Sequence, residues 1–207
     1  YYEAGTEAAR RAVTALWEFT RGGEVPIVCD TSPCSGQFAQ AEKYLSGQDL
    51  ARWKALRIID FPTYIAREVL PTRPEGAWPR LNRHVVLHPT CTLMKLGGLA
   101  DLKKVAQTFA TSVTVPVLSE CCGFAGDRGF NYPELTLSAT RPESAEVREK
   151  KNAATAAGQE TCCYSTCRTC EIGMTAGTGE IYSSIAHLVY DALVLPTLPR
   201  QKGVWAE

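Results

Sequence analysis

The sequence predicts an α/β fold built from two related strand–helix repeats with mainly parallel sheets, the first repeat truncated at its N-terminus. Three observations predict it. Short apolar runs alternate with longer stretches of helical spacing. Proline and glycine punctuate the boundaries between them. A strand–turn–cysteine pattern followed by a strand and a helix occurs twice, once around Cys34 and once around Cys170.

In order, residues 7–20 carry Ala8, Val13, Ala15, Leu16 and Phe19 near helical spacing, and Gly22-Gly23 ends that helix. Residues 25–28 read as a short strand, followed by the turn Asp30-Thr31-Ser32-Pro33 before Cys34. Residues 56–59 are a second strand, and Pro62 opens a helix to about Leu70. Pro71, Pro74, Gly76 and Pro79 then mark a linker, placed at 73–80. It divides the end of a first, degenerate repeat (1–72) from a cysteine-rich domain (81–207). Beyond it come strands at 85–87 and 113–118, with a helix at 99–109 between them. A helix at 142–157 has Pro142 in its first turn. A strand at 161–163, a helix after Cys170, a strand at 180–182 and a helix to Leu193 complete the pattern. The repeat matches Cys34, Arg57-Ile58-Ile59-Asp60 and the helix ending at Pro71 to Cys170, Ile181-Tyr182-Ser183 and the helix ending at Pro196. The chain opens on Tyr1 rather than methionine, with helical pattern almost at once, which predicts a piece of a longer protein.

Lysine plus arginine equals aspartate plus glutamate, 22 against 22, so no charge excess favours nucleic acid or an anionic lipid surface. No apolar run approaches the roughly 20 residues of a membrane span. No Ser–His–Asp arrangement and no His-Glu-x-x-His is present, so hydrolysis has no support. Gly123, Gly126 and Gly129 resemble a phosphate loop in spacing, but the Gly-Lys-Ser/Thr ending is missing. Residues 148–151 read as a solvated helix face.

The nine cysteines stand apart. An odd number cannot pair completely within one chain, and 207 residues can bury a core without disulfides, so reduced thiols in a cytoplasmic setting are expected. Cys91, Cys121-Cys122-Gly123 and Cys167-x-x-Cys170 each follow a predicted strand. Carboxyl ends of neighbouring parallel strands converge at one rim, so these loops can meet. Five thiolates exceed the four donors that satisfy a structural zinc, and soft thiolates suit iron–sulfur, zinc or Cu(I). Adjacent cysteines are awkward donors to one ion but can serve different irons of a cluster. Gly123 lets the backbone take positive φ beside the bound group, and the helix after Cys170 aims N–H groups toward it. Cys34, Cys163 and His88 are further possible ligands, His88 being read first as a histidine satisfied within a turn. Cys29 and Cys162 are expected in the core, and His84 and His187 are expected to be structural.

The set Cys91, Cys121-Cys122-Gly123 and Cys167-x-x-Cys170 resembles the cysteine-rich CCG domain of heterodisulfide reductases and of glycolate oxidase iron–sulfur proteins. The wording from Glu120 to Phe130, Pro133-Glu-Leu135 and Arg168-Thr-Cys-Glu-Ile-Gly-Met174 resembles the C-terminal region of FAD- and iron–sulfur-containing D-lactate dehydrogenases. The likeness is specific from about His88 to His187 and weaker over residues 1–70. It departs from the family at Thr31, where a first-repeat Cys-x-x-Cys would begin, and in the long stretch between Cys122 and Cys167.

The resemblance implies an iron–sulfur cluster of 4Fe–4S type. It also implies FAD and ferredoxin-like domains upstream in the same protein, and electron transfer from reduced flavin toward a quinone or cytochrome. The whole would be an oxidoreductase acting on D-2-hydroxy acids such as D-lactate, cytoplasmic or peripheral on the inner face of the membrane. The excised part would have no dehydrogenase activity alone. Two rival expectations are cluster-based thiol–disulfide reduction and a non-catalytic docking module stabilised by zinc.

Overall fold

A computed structural model describes residues 2–197. The elements run α1 (Tyr2–Phe19), β1 (Ile27–Cys29), α2 (Ser32–Phe38), α3 (Gly47–Ala55), β2 (Ile58–Asp60), α4 (Phe61–Tyr64, continued by a π turn Ile65–Val69) and β3 (Leu81–Leu87). Then follow α5 (Cys91–Lys95), α6 (Leu99–Phe109), β4 (Ala110–Thr114), α7 (Arg128–Asn131) and α8 (Pro133–Ala156). The chain continues with β5 (Glu160–Ser165), α9 (Arg168–Thr178), β6 (Tyr182–Ser184) and α10 (Ile185–Leu193). β1 and β2 form one sheet, and β4-β3-β5-β6 form another. All the pairings are parallel, as expected of an α/β fold.

Alternation along β3 assigns the helices to two faces. Val85 and Leu87 turn to a core with Ile65, Ala66 and Leu70, the α6 residues Leu102, Val105, Ala106 and Phe109, and Ile185 and Leu188 of α10. Val86 turns to the opposite core, with Val147 of α8, Met174 of α9, Cys122, Phe124, Cys163, Cys167 and Cys170. Four of the nine thiols therefore sit in the core under α8 and α9. Residues 65–70 lie in the first core although they precede the irregular stretch 73–80. α1 and α3 close a third core around Val13 and Trp53, beside the small sheet.

The repeat is present in the backbone. Thr31 and Cys167 are both extended N-caps, of α2 and α9. Asp60 and Ser184 both end a strand and cap the next helix, with φ/ψ of −68°/141° and −64°/140°. Cys29 pairs with Asp60 across the small sheet, as Ser165 pairs with Ser184 across the large one.

Several boundaries differ from the sequence expectation. The strand expected at 113–118 is Ala110–Thr114, and a loop runs from it to the cysteine pair. The helix expected at 142–157 is Pro133–Ala156, with Pro142 in its interior rather than its first turn. Its buried face is Thr136, Thr140, Glu143, Ser144 and Val147, mostly polar, so no apolar stripe announces it. Thr140 bonds back to the Thr136 carbonyl and Ser144 to the Thr140 carbonyl, and Ser144 also reaches the Gly177 carbonyl of α9. The helix expected after Cys170 begins at Arg168, which puts Cys170 in its first turn.

Candidate metal centre

β3 and β5 are neighbours whose onward connections diverge, β3 leading to β4 at one edge and β5 to β6 on the other side. Crevices at such divergence points, beyond the carboxyl ends of parallel strands, are where α/β sheets bind ligands. His88 follows β3 and Cys167 follows β5, so both emerge there. Cys122 enters from the loop after β4, under α8. Gly123 has φ +70°, and a Cβ on it would lie 2.8 Å from Ala139 Cβ and 3.0 Å from the Leu135 carbonyl oxygen. The glycine thus serves positive φ as expected, and it also lets the loop press against α8.

Cys122 Sγ and Cys170 Sγ share a hydrogen bond at 3.2 Å. A His88 ring nitrogen and these two sulfurs all lie within 4.8 Å of one another, and all three residues are buried. The Cys170 proton shared with Cys122 holds the Cys122 thiol down at about 4 despite its burial, and His88 and the Phe124 amide act in the same direction. Cys167 is lowered to about 5, again chiefly by Cys170, with help from the Thr169 hydroxyl at 3.2 Å and the amides opening α9. Cys170 is raised, since it donates to both neighbours. Three thiols thus carry a network in which two ionise readily.

Burial works against a charged His88, but Cys122 and Glu143 outweigh it and raise the imidazole to about 9. Its Nδ1 lies 3.0 and 2.9 Å from the two Glu143 oxygens. Nε2 is buried without a partner at hydrogen-bonding geometry, although the Cys122 sulfur is close enough to influence it. Glu143 is itself raised by burial, against the pull of His88. Tyr182 packs edge-on against His88, centroids 6.5 Å apart, and its buried hydroxyl is likewise unpartnered.

The remaining cysteines divide. Cys91 and Cys121 are exposed, and the Cys91 thiol is close enough to raise Cys121. The Gly123 amide lowers Cys121, yet burial and its thiol neighbours raise it on balance. Cys163 is buried beside Tyr182, and burial pushes it up to about 12. Cys34 is exposed on α2. Cys29 and Cys162 are partly buried, the latter against the α6 core. His84 bonds Ser112 and Thr114 in the sheet. The five motif thiols therefore form a buried trio, Cys122, Cys167 and Cys170, and an exposed pair, Cys91 and Cys121, joined through the Cys121-Cys122 peptide. Glu143 escapes a reading of the sequence, because it lies in a charged stretch and carries no signal of burial.

A buried group of soft sulfur donors with an orphaned imidazole nitrogen fits a bound metal, iron–sulfur or zinc, by donor chemistry.

Over 70 residues the chain is 31% identical to Lactate utilization protein A of Oceanobacillus iheyensis. The match takes in 32% of this chain and 29% of that protein's length. No family model matches the chain. No solved structure matches it. Among the described residues no helix is long and apolar enough to cross a membrane.

Proposed function

We propose that the chain is the iron–sulfur electron-transfer part of a flavin-linked D-2-hydroxyacid dehydrogenase, with D-lactate as the substrate. It would pass electrons from an FAD domain elsewhere in the protein toward a quinone or cytochrome. The observation that carries this reading is the convergence of Cys122 and Cys170, buried and 3.2 Å apart, with Cys167 beside them and the exposed Cys121 joined to Cys122 by a peptide. The similarity to a lactate-utilization protein supports the substrate class. In this reading Cys91, Cys121, Cys122, Cys167 and Cys170 hold the cluster, and residues 1–72 are a degenerate copy of the cysteine-rich unit. A bound cluster supplies one-electron storage and transfer. The chain's residues make the thiolates available: the α9 amides and the Phe124 amide favour ionised sulfur, while the apolar walls Phe124, Val147 and Met174 exclude water.

A second reading is favoured by the lowered Cys122 thiol beside a protonated Cys170. Cys122 thiolate would attack a disulfide and release one thiolate. Cys170 would then give its proton to the released thiolate and close on Cys122, releasing the second thiolate and leaving both protein sulfurs oxidised. Cys122 is only 4% exposed, which favours a held ion over an incoming disulfide.

Anaerobic preparation followed by iron, acid-labile sulfide and zinc analysis tests the proposal. Iron with sulfide, and a reversible reduction seen by electron paramagnetic resonance, is the expected result. Zinc alone overturns it in favour of a docking module. Stoichiometric reduction of a disulfide by the metal-free, reduced protein overturns it in favour of the second reading.

A further inference from the structure

We propose that His88 is a metal ligand through Nε2, completing the donor set of Cys122 and Cys170, and that Glu143 is the residue that positions it. This rests on reading the thiol group as a metal centre, but it does not depend on which metal is bound.

His88 is 1% exposed and Glu143 2% exposed. A buried imidazole needs a partner for each nitrogen. Glu143 grips Nδ1 with both carboxylate oxygens, at 3.0 and 2.9 Å, and a carboxylate can only accept, so Nδ1 carries a proton. A metal ion displaces any proton on Nε2 and binds its lone pair. Nε2 has no partner, and among the described residues His88 is grouped at ligand distance with two buried cysteines. A carboxylate on one imidazole nitrogen with a metal on the other is the recurrent way proteins fix a metal-binding histidine and raise its basicity.

The setting argues against a merely satisfied core histidine. Glu143 sits in the middle of α8 on its buried face, against His88 and near Cys122 rather than in solvent. Glu143 and the sulfurs of Cys122 and Cys170 gather donors of negative charge around the imidazole in a buried place. A divalent ion bound to Nε2 and the sulfurs balances that charge and also satisfies the orphan. The edge-on Tyr182 ring fixes the imidazole plane from the other side. Mixed imidazole–thiolate ligation of iron–sulfur centres also raises their potential relative to all-thiolate ligation, a direction suited to accepting electrons from a flavin.

The test is metal-edge X-ray absorption on the whole protein loaded anaerobically, with ferrous iron and sulfide in one arm and zinc in the other. We expect imidazole nitrogen scattering in the arm that loads, and its loss in His88→Ala. Glu143→Ala should weaken retention of the metal against a chelator about 10- to 100-fold, and Glu143→Gln, which can still accept from Nδ1, should recover part of it. If His88→Ala does not fold, judged by circular dichroism, the wild-type spectrum and the Glu143 pair still decide. An all-sulfur shell in the wild type overturns the assignment, as does nitrogen scattering that survives His88→Ala or a wild type that loads neither metal. Iron and sulfide with an all-sulfur shell would sink the His88 assignment alone. Zinc with a nitrogen ligand would keep it and sink the electron-transfer reading.

Discussion

Ser32 and Thr166 meet twice: their hydroxyl oxygens are 2.8 Å apart, and the Ser32 N–H bonds the Thr166 carbonyl at 2.8 Å. Ser32 opens α2 beside the small sheet, and Thr166 stands next to Cys167 on the loop leaving the large one. The network continues in both directions. Ser32 and Ser35 donate to Asp60 at 3.0 and 2.5 Å, and Thr166 lies 3.3 Å from Thr90, the N-cap before Cys91. A chain of buried polar groups thus reaches from the first repeat to the loops bearing Cys91 and Cys167.

Ser32→Ala removes the hydroxyl and leaves Thr166 and Asp60 each short of a partner in a buried place. The expected loss is about 1–3 kcal/mol. Urea denaturation should show a lower midpoint with an unchanged slope. An unaltered midpoint would mean that the first repeat does not brace the cysteine loops.

Asp60 adds a pH dependence. Burial raises its pKa above 3.8, more than the bonds from Ser35 and Ser32 lower it. The folded state then holds this proton to higher pH than the unfolded chain. Its contribution to stability is fully present below the unfolded pKa and is lost as pH rises through the folded value. Asp60→Asn cannot titrate. The stability of Asp60→Asn relative to wild type should therefore climb as pH increases from about 3 and level off by about 7. Denaturation of both proteins across that range checks it, and a constant difference would be inconsistent with the raised pKa.

How legible these features are in the sequence depends on whether their residues carry a periodic apolar signal. α6 is legible at 99–109 because Leu102, Val105, Ala106 and Phe109 are fully buried at helical spacing. The first half of α8 is not, since its buried positions Thr136, Thr140 and Glu143 are polar and make no apolar stripe, and only Glu143 finds its partner, His88, elsewhere in the fold. α2 is masked by Pro33, which reads as the end of the turn begun at Asp30. In the fold Pro33 occupies its first turn, and Gly36 makes room for Thr92 of α5. The cysteine motif locates the thiol cluster, because strand ends converge in a parallel sheet whatever the intervening lengths. Glu143 is invisible: a carboxylate in a charged stretch looks solvated until a histidine 55 residues away is seen beside it.

Gly173 and Gly177 make a small-residue stripe on α9, one helical turn apart, that admits α8. A Cβ on Gly173 would come 3.1 Å from the Phe124 ring and 3.2 Å from Thr136 Cγ2, and one on Gly177 would overlap the Thr140 side chain. Gly177→Ala gains helix propensity but must push α8 away, carrying Glu143 with it. The expected net destabilisation is about 1–3 kcal/mol, as for overpacked cores generally. Metal retention should also fall. A stabilised Gly177→Ala, read by thermal unfolding, would mean that α8 yields freely.

Thiol reactivity offers the last check on the division of the cysteines. In metal-free protein at about pH 8, Cys34, Cys91 and Cys121 are exposed and should be alkylated by iodoacetamide first. Cys163 is 3% exposed and its pKa is pushed up to about 12, so only about one thiol in ten thousand is ionised at that pH. It should stay unmodified until the protein unfolds. Cys122 and Cys167 ionise readily but are 4% and 6% exposed, so access rather than ionisation limits them and they should react late. Loading the metal separates ligands from bystanders. If Cys91 and Cys121 hold the centre, they become protected, while Cys34 on α2 keeps its metal-free rate. Peptide mapping by mass spectrometry reads each site in the same sample. Undiminished labelling of Cys91 and Cys121 after loading would confine the ligands to the buried trio and His88, leaving four donors, the number that satisfies a tetrahedral zinc.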